Sequence, residues 1–262
     1  RKNKVKPYVG DKVVISINDN GLCMIEEILP RKNELIRPPI SNIDQLIIVA
    51  SVCDPSPSTI VIDKMVALAV KKGIKPIIVI TKSDLPHEEI LREVYEKAEI
   101  NTIEFSSQDL RNIDVIKKLL YGKTSAFTGN SGVGKSTLLN CIDKKLLLDT
   151  SSISNKLGRG KHTTRLVELF KICDATYVAD TPGFSAVDIE RYEKIDKDEL
   201  QYCFEEFKPY LNTCKFTSCS HTCEKGCSVI EAVNMGHISR SRHNSYVYMY
   251  NEVKDIKDWT KK

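Results

Sequence analysis

The stretch Gly129-Asn-Ser-Gly-Val-Gly134-Lys135-Ser136 constrains this chain more than any other. It fits the pattern G-x-x-x-x-G-K-[ST], whose parts make chemical sense between a buried strand and a helix. Glycines let backbone N–H groups turn inward and approach phosphate oxygens closely. Lys135 is placed to neutralise charge on β- and γ-phosphates, and the Ser136 hydroxyl to reach a Mg²⁺ ion. A short strand pattern at 125–128 precedes the turn, and Thr137-Leu-Leu-Asn-Cys continues as a helix. Such a helix aims its positive end at the phosphates. The residues expected around them are Gly129, Asn130, Ser131, Gly132, Val133, Gly134, Lys135, Ser136 and Thr137.

Downstream, Asp180-Thr-Pro-Gly183 follows the strand pattern Tyr177-Val-Ala. An Asp at the end of a buried strand suits a second carboxylate directed at Mg²⁺, directly or through water. The Gly183 N–H would then report the γ-phosphate. Between the two motifs lies Gly158-Arg-Gly-Lys-His-Thr163-Thr164. A glycine-rich loop ending in Thr suits an order–disorder switch with one Thr hydroxyl on Mg²⁺. Thr163 and Thr164 are equivalent candidates, and His162 is a candidate to position water.

Upstream of the phosphate loop, Thr81-Lys82-Ser83-Asp84 ends a strand pattern at 76–80 and resembles the [N/T]-K-x-D base motif of the GTPase superfamily. An Asp carboxylate accepts together from guanine N1–H and the exocyclic N2 amine. Adenine presents no such donor pair, so ATP would leave a carboxylate unpaired. Lys82 can lay its aliphatic stem over the base. Ser106 and Ser107, after the strand pattern at 100–105, are placed to support the base from the other side. In ordinary GTPases the phosphate loop comes first. The reversed order here implies a circular permutation, which leaves a sheet intact if the old termini lie close together at the surface.

The surrounding pattern supports an open α/β sheet. Continuous apolar runs at 46–52 and 77–80 read as buried strands, and 59–72 has helical spacing with Ile62, Met65, Val66 and Ala69 on one face. Further helices are expected over 86–98 and 109–120, and further strands over 165–170 and 176–179. Residues 1–37 read as short strands with a hairpin turn at Asp19-Asn-Gly21. Beyond Ile195 helices are expected over 198–207, 228–235 and about 238–258.

Five of nine cysteines lie between Cys203 and Cys227. With no secretion signal visible, such clustering favours metal binding in a reducing compartment over disulfides. Cys214-x4-Cys219-x-His221-x5-Cys227 offers three thiolates and an imidazole, which suits a closed, structural Zn²⁺ site, with Cys223 a fifth candidate. Cys23, Cys53, Cys141, Cys173 and Cys203 fall in apolar patterns and are expected in the core. Hydrophobic residues at 41% and charged residues at 28% exclude a disordered chain, and no apolar run is long enough to span a bilayer. Charge is uneven: residues 1–37 carry +3 and residues 208–262 carry +4, against −3 between them. The basic flanks suit contact with phosphates.

Taken together, these motifs resemble the bacterial circularly permuted, ribosome small-subunit-dependent GTPase A family. The resemblance runs over essentially the whole chain and includes Val9-Gly-Asp11, Arg37-Pro-Pro39 and Asn42-x-Asp44-Gln45. It implies an N-terminal OB-fold β-barrel over residues 1–40, a central permuted P-loop GTPase domain over 41–190, and a helical zinc-binding domain over 191–262. The chain opens just before Val9-Gly-Asp11, so the OB-fold is expected without its first strands. The family's zinc ligands fall on Cys214, Cys219, His221 and Cys227 and leave Cys223 outside. Lys225 stands where the family usually has Pro. The resemblance further implies GTP hydrolysis to GDP, stimulated by the ribosome, in late maturation of the 30S subunit, with 16S rRNA as partner. It implies a cytoplasmic monomer with no membrane partner.

Many GTPases orient the attacking water with a Gln just after D-x-x-G. Phe184 stands there and can neither donate nor accept, so slow intrinsic turnover is expected. Two rivals remain open. One is a GTP-gated RNA-binding checkpoint in which hydrolysis only times release. The other is a metabolic P-loop kinase, against which Asp84 argues.

Overall fold

The computed structural model describes residues 5–18, 20–86, 90–146, 167–181 and 193–255. The N-terminal segment carries a hairpin of β1 (Val13–Ile17) and β2 (Cys23–Ile28), and a second small pair, β3 (Glu34–Leu35) with β4 (Ile40–Ser41). Gly21 closes the hairpin turn at φ +75°, a backbone conformation that a side chain disfavours. Asp11 and Arg31 staple the segment: Arg31 Nε donates to Asp11 Oδ1 at 2.7 Å, and the guanidinium lies 4.0 Å from the Tyr8 ring centroid. Asn42, Asp44 and Gln45 tie it to the rest. Asn42 Nδ2 donates to the Gly10 carbonyl, Thr124 N to Asp44 Oδ2, and Gln45 Nε2 to Ser125 Oγ.

The centre is a six-stranded sheet of β5 (Gln45–Ser51), β6 (Lys75–Thr81), β7 (Asn101–Glu104), β8 (Thr124–Thr128), β9 (Glu168–Cys173) and β10 (Thr176–Asp180). Its order is β7-β6-β5-β8-β10-β9, parallel except for β9. Successive side chains on a strand point to opposite faces, so a strand covered on both sides must be apolar throughout. Leu46, Ile48, Ala50, Ile78 and Ile80 enter one core, while Ile47, Val49, Ile77 and Val79 enter the other. Helices α1 (Thr59–Lys71) and α2 (Ile90–Glu96) cover the first face; α3 (Ile113–Leu120) and α4 (Lys135–Ile142) cover the second. Helix α1 stops at Gly73, φ +65°, where Ile74 N donates to Ala69 O and Gly73 N to Val70 O, satisfying carbonyls the helix leaves free.

The C-terminal region holds α5 (Lys197–Leu200), two 3₁₀ turns (Gln201–Cys203 and Glu205–Tyr210), α6 (Ser228–Asn234) and α7 (Arg240–Val253). Its core of Phe204, Phe207, Val229 and Tyr246 also takes in Ala67 of α1.

Three expectations need correction. The single helix over 198–207 is broken, because Phe204 adopts an extended φ of −110° to bury its ring completely. The helix over 109–120 begins only at Ile113. Asp109 Oδ1 instead accepts from Arg111 N in a local turn, and Leu110 and Asn112 have positive φ. Core cysteines are fewer than expected. Cys203 is buried, Cys53 and Cys141 are half-buried, and Cys23 and Cys173 are exposed, on the uncovered hairpin and at the end of edge strand β9.

Candidate nucleotide and metal sites

Strands β5, β6, β7, β8 and β10 run parallel, so the residues that follow them gather at one edge of the sheet. Ligands of open α/β sheets bind outside the carboxyl ends of strands. Thr81–Asp84 follow β6, Ser106 and Ser107 follow β7, Gly129–Ser136 follow β8, and Asp180 ends β10. The reversed chain order of the two principal motifs is therefore immaterial to their spatial order.

Three loops are cross-linked there. Thr81 Oγ1, buried, donates to the Val133 carbonyl, so the base motif is bonded directly to the phosphate loop. Lys82, at φ +58°, extends its ammonium to the Asp54 carbonyl and to that of Cys53 at 3.4 Å. Ser51 Oγ holds the Pro55 carbonyl at 2.7 Å, which seats Pro55 beside Gly132. A Cβ at Gly129 would lie 2.5 Å from the Val49 carbonyl, so this turn can only pass as glycine. Gly134 caps α4 at φ +87°, and the first-turn amides of that helix face the loop. Asp84, Asn130, Ser131 and Ser107 are exposed, whereas Ser106 is buried with its Oγ accepting from Gln108 N.

Lys135 Nζ lies 2.6 Å from Asp180 Oδ1, both side chains about nine-tenths buried. The two motif residues, 45 positions apart, thus bring a cation and a carboxylate together at one point. That pairing suits adjacent phosphate and Mg²⁺ sites, with Ser136 next in the chain on the first turn of α4. His162, Thr163, Thr164 and Gly183 lie outside the described residues. The loop at 52–58 was not anticipated as part of this edge; its signal was only its position directly after a buried strand.

The second site lies in the C-terminal region. The ligand atoms of Cys214, Cys219, His221 and Cys227 all fall within 4.8 Å of one another, and the group could hold a metal ion. Cys223 is exposed and stands apart. Tetrahedral zinc with bonds of about 2.3 Å to sulfur and about 2.0 Å to nitrogen sets sulfurs about 3.8 Å apart and sulfur–nitrogen pairs about 3.5 Å apart. Here Cys214 Sγ and Cys227 Sγ are 3.9 Å apart, and His221 Nδ1 is 3.5 and 3.4 Å from them. The donor set therefore fits zinc.

Sequence spacing could not show how the histidine is held. His221 is buried with a left-handed φ of +59°. Its carbonyl accepts from His243 Nε2 at 2.8 Å, and its own Nε2 donates to Gln201 Oε1 at 3.0 Å. An amide oxygen can only accept, so the proton sits on Nε2 and the Nδ1 lone pair faces the sulfurs. Burial pushes the Cys219 thiol up to about 12, raises Cys227 and lowers His221. A neutral imidazole is ready to ligate, and thiolates in this setting need a cation to form. Burial opposes ionisation of Glu224, but hydrogen bonds from Ser220 and from the backbone outweigh it and hold its carboxyl down at about 2.

A family model described as RsgA GTPase matches residues 28–190. The curated small ribosomal subunit biogenesis GTPase RsgA of Ruminiclostridium cellulolyticum is 44% identical over 262 residues, spanning 98% of this chain and 84% of that protein. The protein of the same name from Geobacillus kaustophilus is 44% identical over 263 residues, spanning 98% and 88%. The crystal structure of YjeQ from Thermotoga maritima superposes with a TM-score of 0.81 at 38% identity, over 97% of this chain and 87% of that one. YloQ, described as a circularly permuted GTPase, gives 0.78 at 37% identity, over 98% and 84%. With the motif order, the sheet and these likenesses in agreement over nearly its whole length, the chain belongs to the RsgA GTPase family.

Proposed function

We propose that this protein hydrolyses GTP in maturation of the small ribosomal subunit, binding the 30S particle through its rRNA. The observation that carries the reading is the bond from Thr81 of the base motif to Val133 of the phosphate loop, which makes one continuous edge of two motifs in reversed order. The names of the relatives, small ribosomal subunit biogenesis GTPases, supply the ribosomal context.

In this reading Asp84 accepts from the guanine edge, Lys82 covers the base, and Ser106 and Ser107 line its far side. Gly129–Thr137 wrap the phosphates, with Lys135 countering their charge. Ser136, Asp180 (directly or through water) and Thr163 or Thr164 would hold Mg²⁺, which would supply positive charge against the phosphates. Gly183 reports the γ-phosphate and His162 positions water. Cys214, Cys219, His221 and Cys227 hold one structural Zn²⁺. The domain division at residues 40 and 190 belongs to the same proposal, as do a monomeric state and a cytoplasmic location. Among the described residues no helix is long and apolar enough to cross a membrane.

The test is steady-state GTP hydrolysis against titrated 30S, 50S and 70S particles. Phe184 in place of a water-orienting Gln predicts slow turnover alone and stimulation that saturates with 30S. Equal rates with and without 30S particles would sink the reading. Single-turnover kinetics distinguishes a checkpoint, in which the 30S particle is released on hydrolysis, from continuous turnover on it.

A further inference from the structure

The loop that carries the metal ligands also presents a ring to solvent. Phe204 and Phe207 of this region are fully buried, but Phe216 is 51% exposed. It sits between Cys214 and Cys219, two of the four clustered ligands, so its position is set by the same group that could hold the metal. The backbone around it is fixed as well. Lys215 N donates to the Gly226 carbonyl at 2.9 Å, and Cys219 N to the Phe216 carbonyl at 3.3 Å. Gly226, at φ +75°, lets the Lys215 stem pack against it, where a Cβ would meet that stem at 3.1 Å. The Lys215 ammonium then stands 5.7 Å from the Phe216 ring centroid.

The exposed charges of the loop 214–227 have one sign. Lys215 and Lys225 are exposed. The only carboxylate of the loop, Glu224, turns inward and accepts from Ser220 N at 2.7 Å, Thr222 N at 3.0 Å and Cys223 N at 3.1 Å. Thr217 and Ser218 beside the ring are exposed hydroxyls. A pocket on a partner protein is typically met by an aromatic anchor set within a patch of apolar neighbours. Within the loop 214–227 Phe216 is the one large apolar side chain, and its chain neighbours Lys215, Thr217 and Ser218 are exposed and polar. An aromatic face on a rigid support, with cations for the backbone, is the arrangement that stacks an unpaired nucleotide base.

We propose that Phe216 is a stacking platform for one unpaired RNA base, with Lys215 and Lys225 pairing to the flanking phosphates. This rests on the ribosomal reading above and specifies the partner chemistry of the C-terminal region. The test uses the full, zinc-loaded chain and two probes: purified small ribosomal subunits, and a short oligouridylate carrying one 2-aminopurine. Phe216→Ala should weaken binding to both by about 5- to 150-fold and abolish the quenching of 2-aminopurine that wild type causes. Phe216→Trp should keep both, and Phe216→Leu should not. Zinc content and GTP affinity should be the same in all variants.

If Phe216→Leu binds subunits like wild type while Phe216→Ala does not, the ring fills an apolar pocket of a protein and the RNA assignment is wrong. If Phe216→Ala binds both probes like wild type, the platform is refuted while the ribosomal reading stands. Wild type that binds neither probe overturns both.

Discussion

Asp84 stands exposed just past β6, where a carboxylate can accept from two N–H donors of a guanine edge. Changing it to Asn turns half of that acceptor into a donor. Asp84→Asn is therefore expected to lower GTP affinity by about 100-fold or more and to favour xanthosine triphosphate, as read by displacement of a fluorescent nucleotide. Unchanged GTP affinity would refute the base assignment. Asp11 makes a different prediction. The Arg31 side chain, with help from Tyr8 N and Ser41 Oγ, holds its carboxyl down at about 2 against an ordinary 3.8. A depressed folded-state pKa stabilises above the unfolded value, and the gain is lost as pH falls through the folded one. Thermal melts should show Asp11→Asn less stable than wild type at neutral pH, with the gap closing between about pH 4 and about pH 2. The two residues differ in how they could be read. Asp84 sits in a four-residue motif, whereas Asp11 meets a partner 20 positions away that no local pattern marks.

Among the elements, the 3₁₀ turn Gln201–Cys203 has a use that its helical sequence pattern hid. Gln201, the first residue of that turn, holds its Oε1 3.0 Å from His221 Nε2. Partners of metal-bound histidines set ring orientation and basicity, and losing one typically costs 10–100-fold in metal affinity. Gln201→Leu should weaken zinc binding by about that factor in chelator competition, and Gln201→Glu should restore it. Equal affinity in Gln201→Leu would show that the amide holds nothing. Helix α1 teaches a related lesson. Ile62, Met65, Val66 and Ala69 were legible as one apolar face, and they do pack on the sheet. Asp63 and Lys64, which lie outside that apolar set, are buried too. A hydrophobic pattern reports only the apolar neighbour, so a second neighbour reached through ion pairs leaves no periodic trace.

That second neighbour joins the whole molecule. Arg242 of α7, fully buried, donates to Asp63 Oδ1 at 2.7 Å and grips Glu206 with two bonds of 2.7 and 3.0 Å. Lys64 pairs with Glu252 at 2.8 Å, and Lys72 with Glu193 at 2.8 Å. The C-terminal region is thereby fastened to the helix that starts just after the 52–58 loop of the nucleotide edge. Removing one member of a buried ionic group strands the others. Arg242→Met should cost about 3–5 kcal/mol in denaturant unfolding, and much of that should return when Asp63 and Glu206 are also made apolar. A loss below about 1 kcal/mol would show that the joint contributes little. By itself the sequence determined which motif follows each strand, the reversed motif order, the α/β sheet and the four clustered ligands, because each is written in short spacings or in strand and helix periods. Only the tertiary structure decided that Thr81 bonds the phosphate loop, that Lys135 meets Asp180, that Gln201 sets the imidazole, and that α1 is charged toward α7. These contacts join residues far apart in the chain, and what selects them is the shared edge of a parallel sheet and the burial of charge against charge.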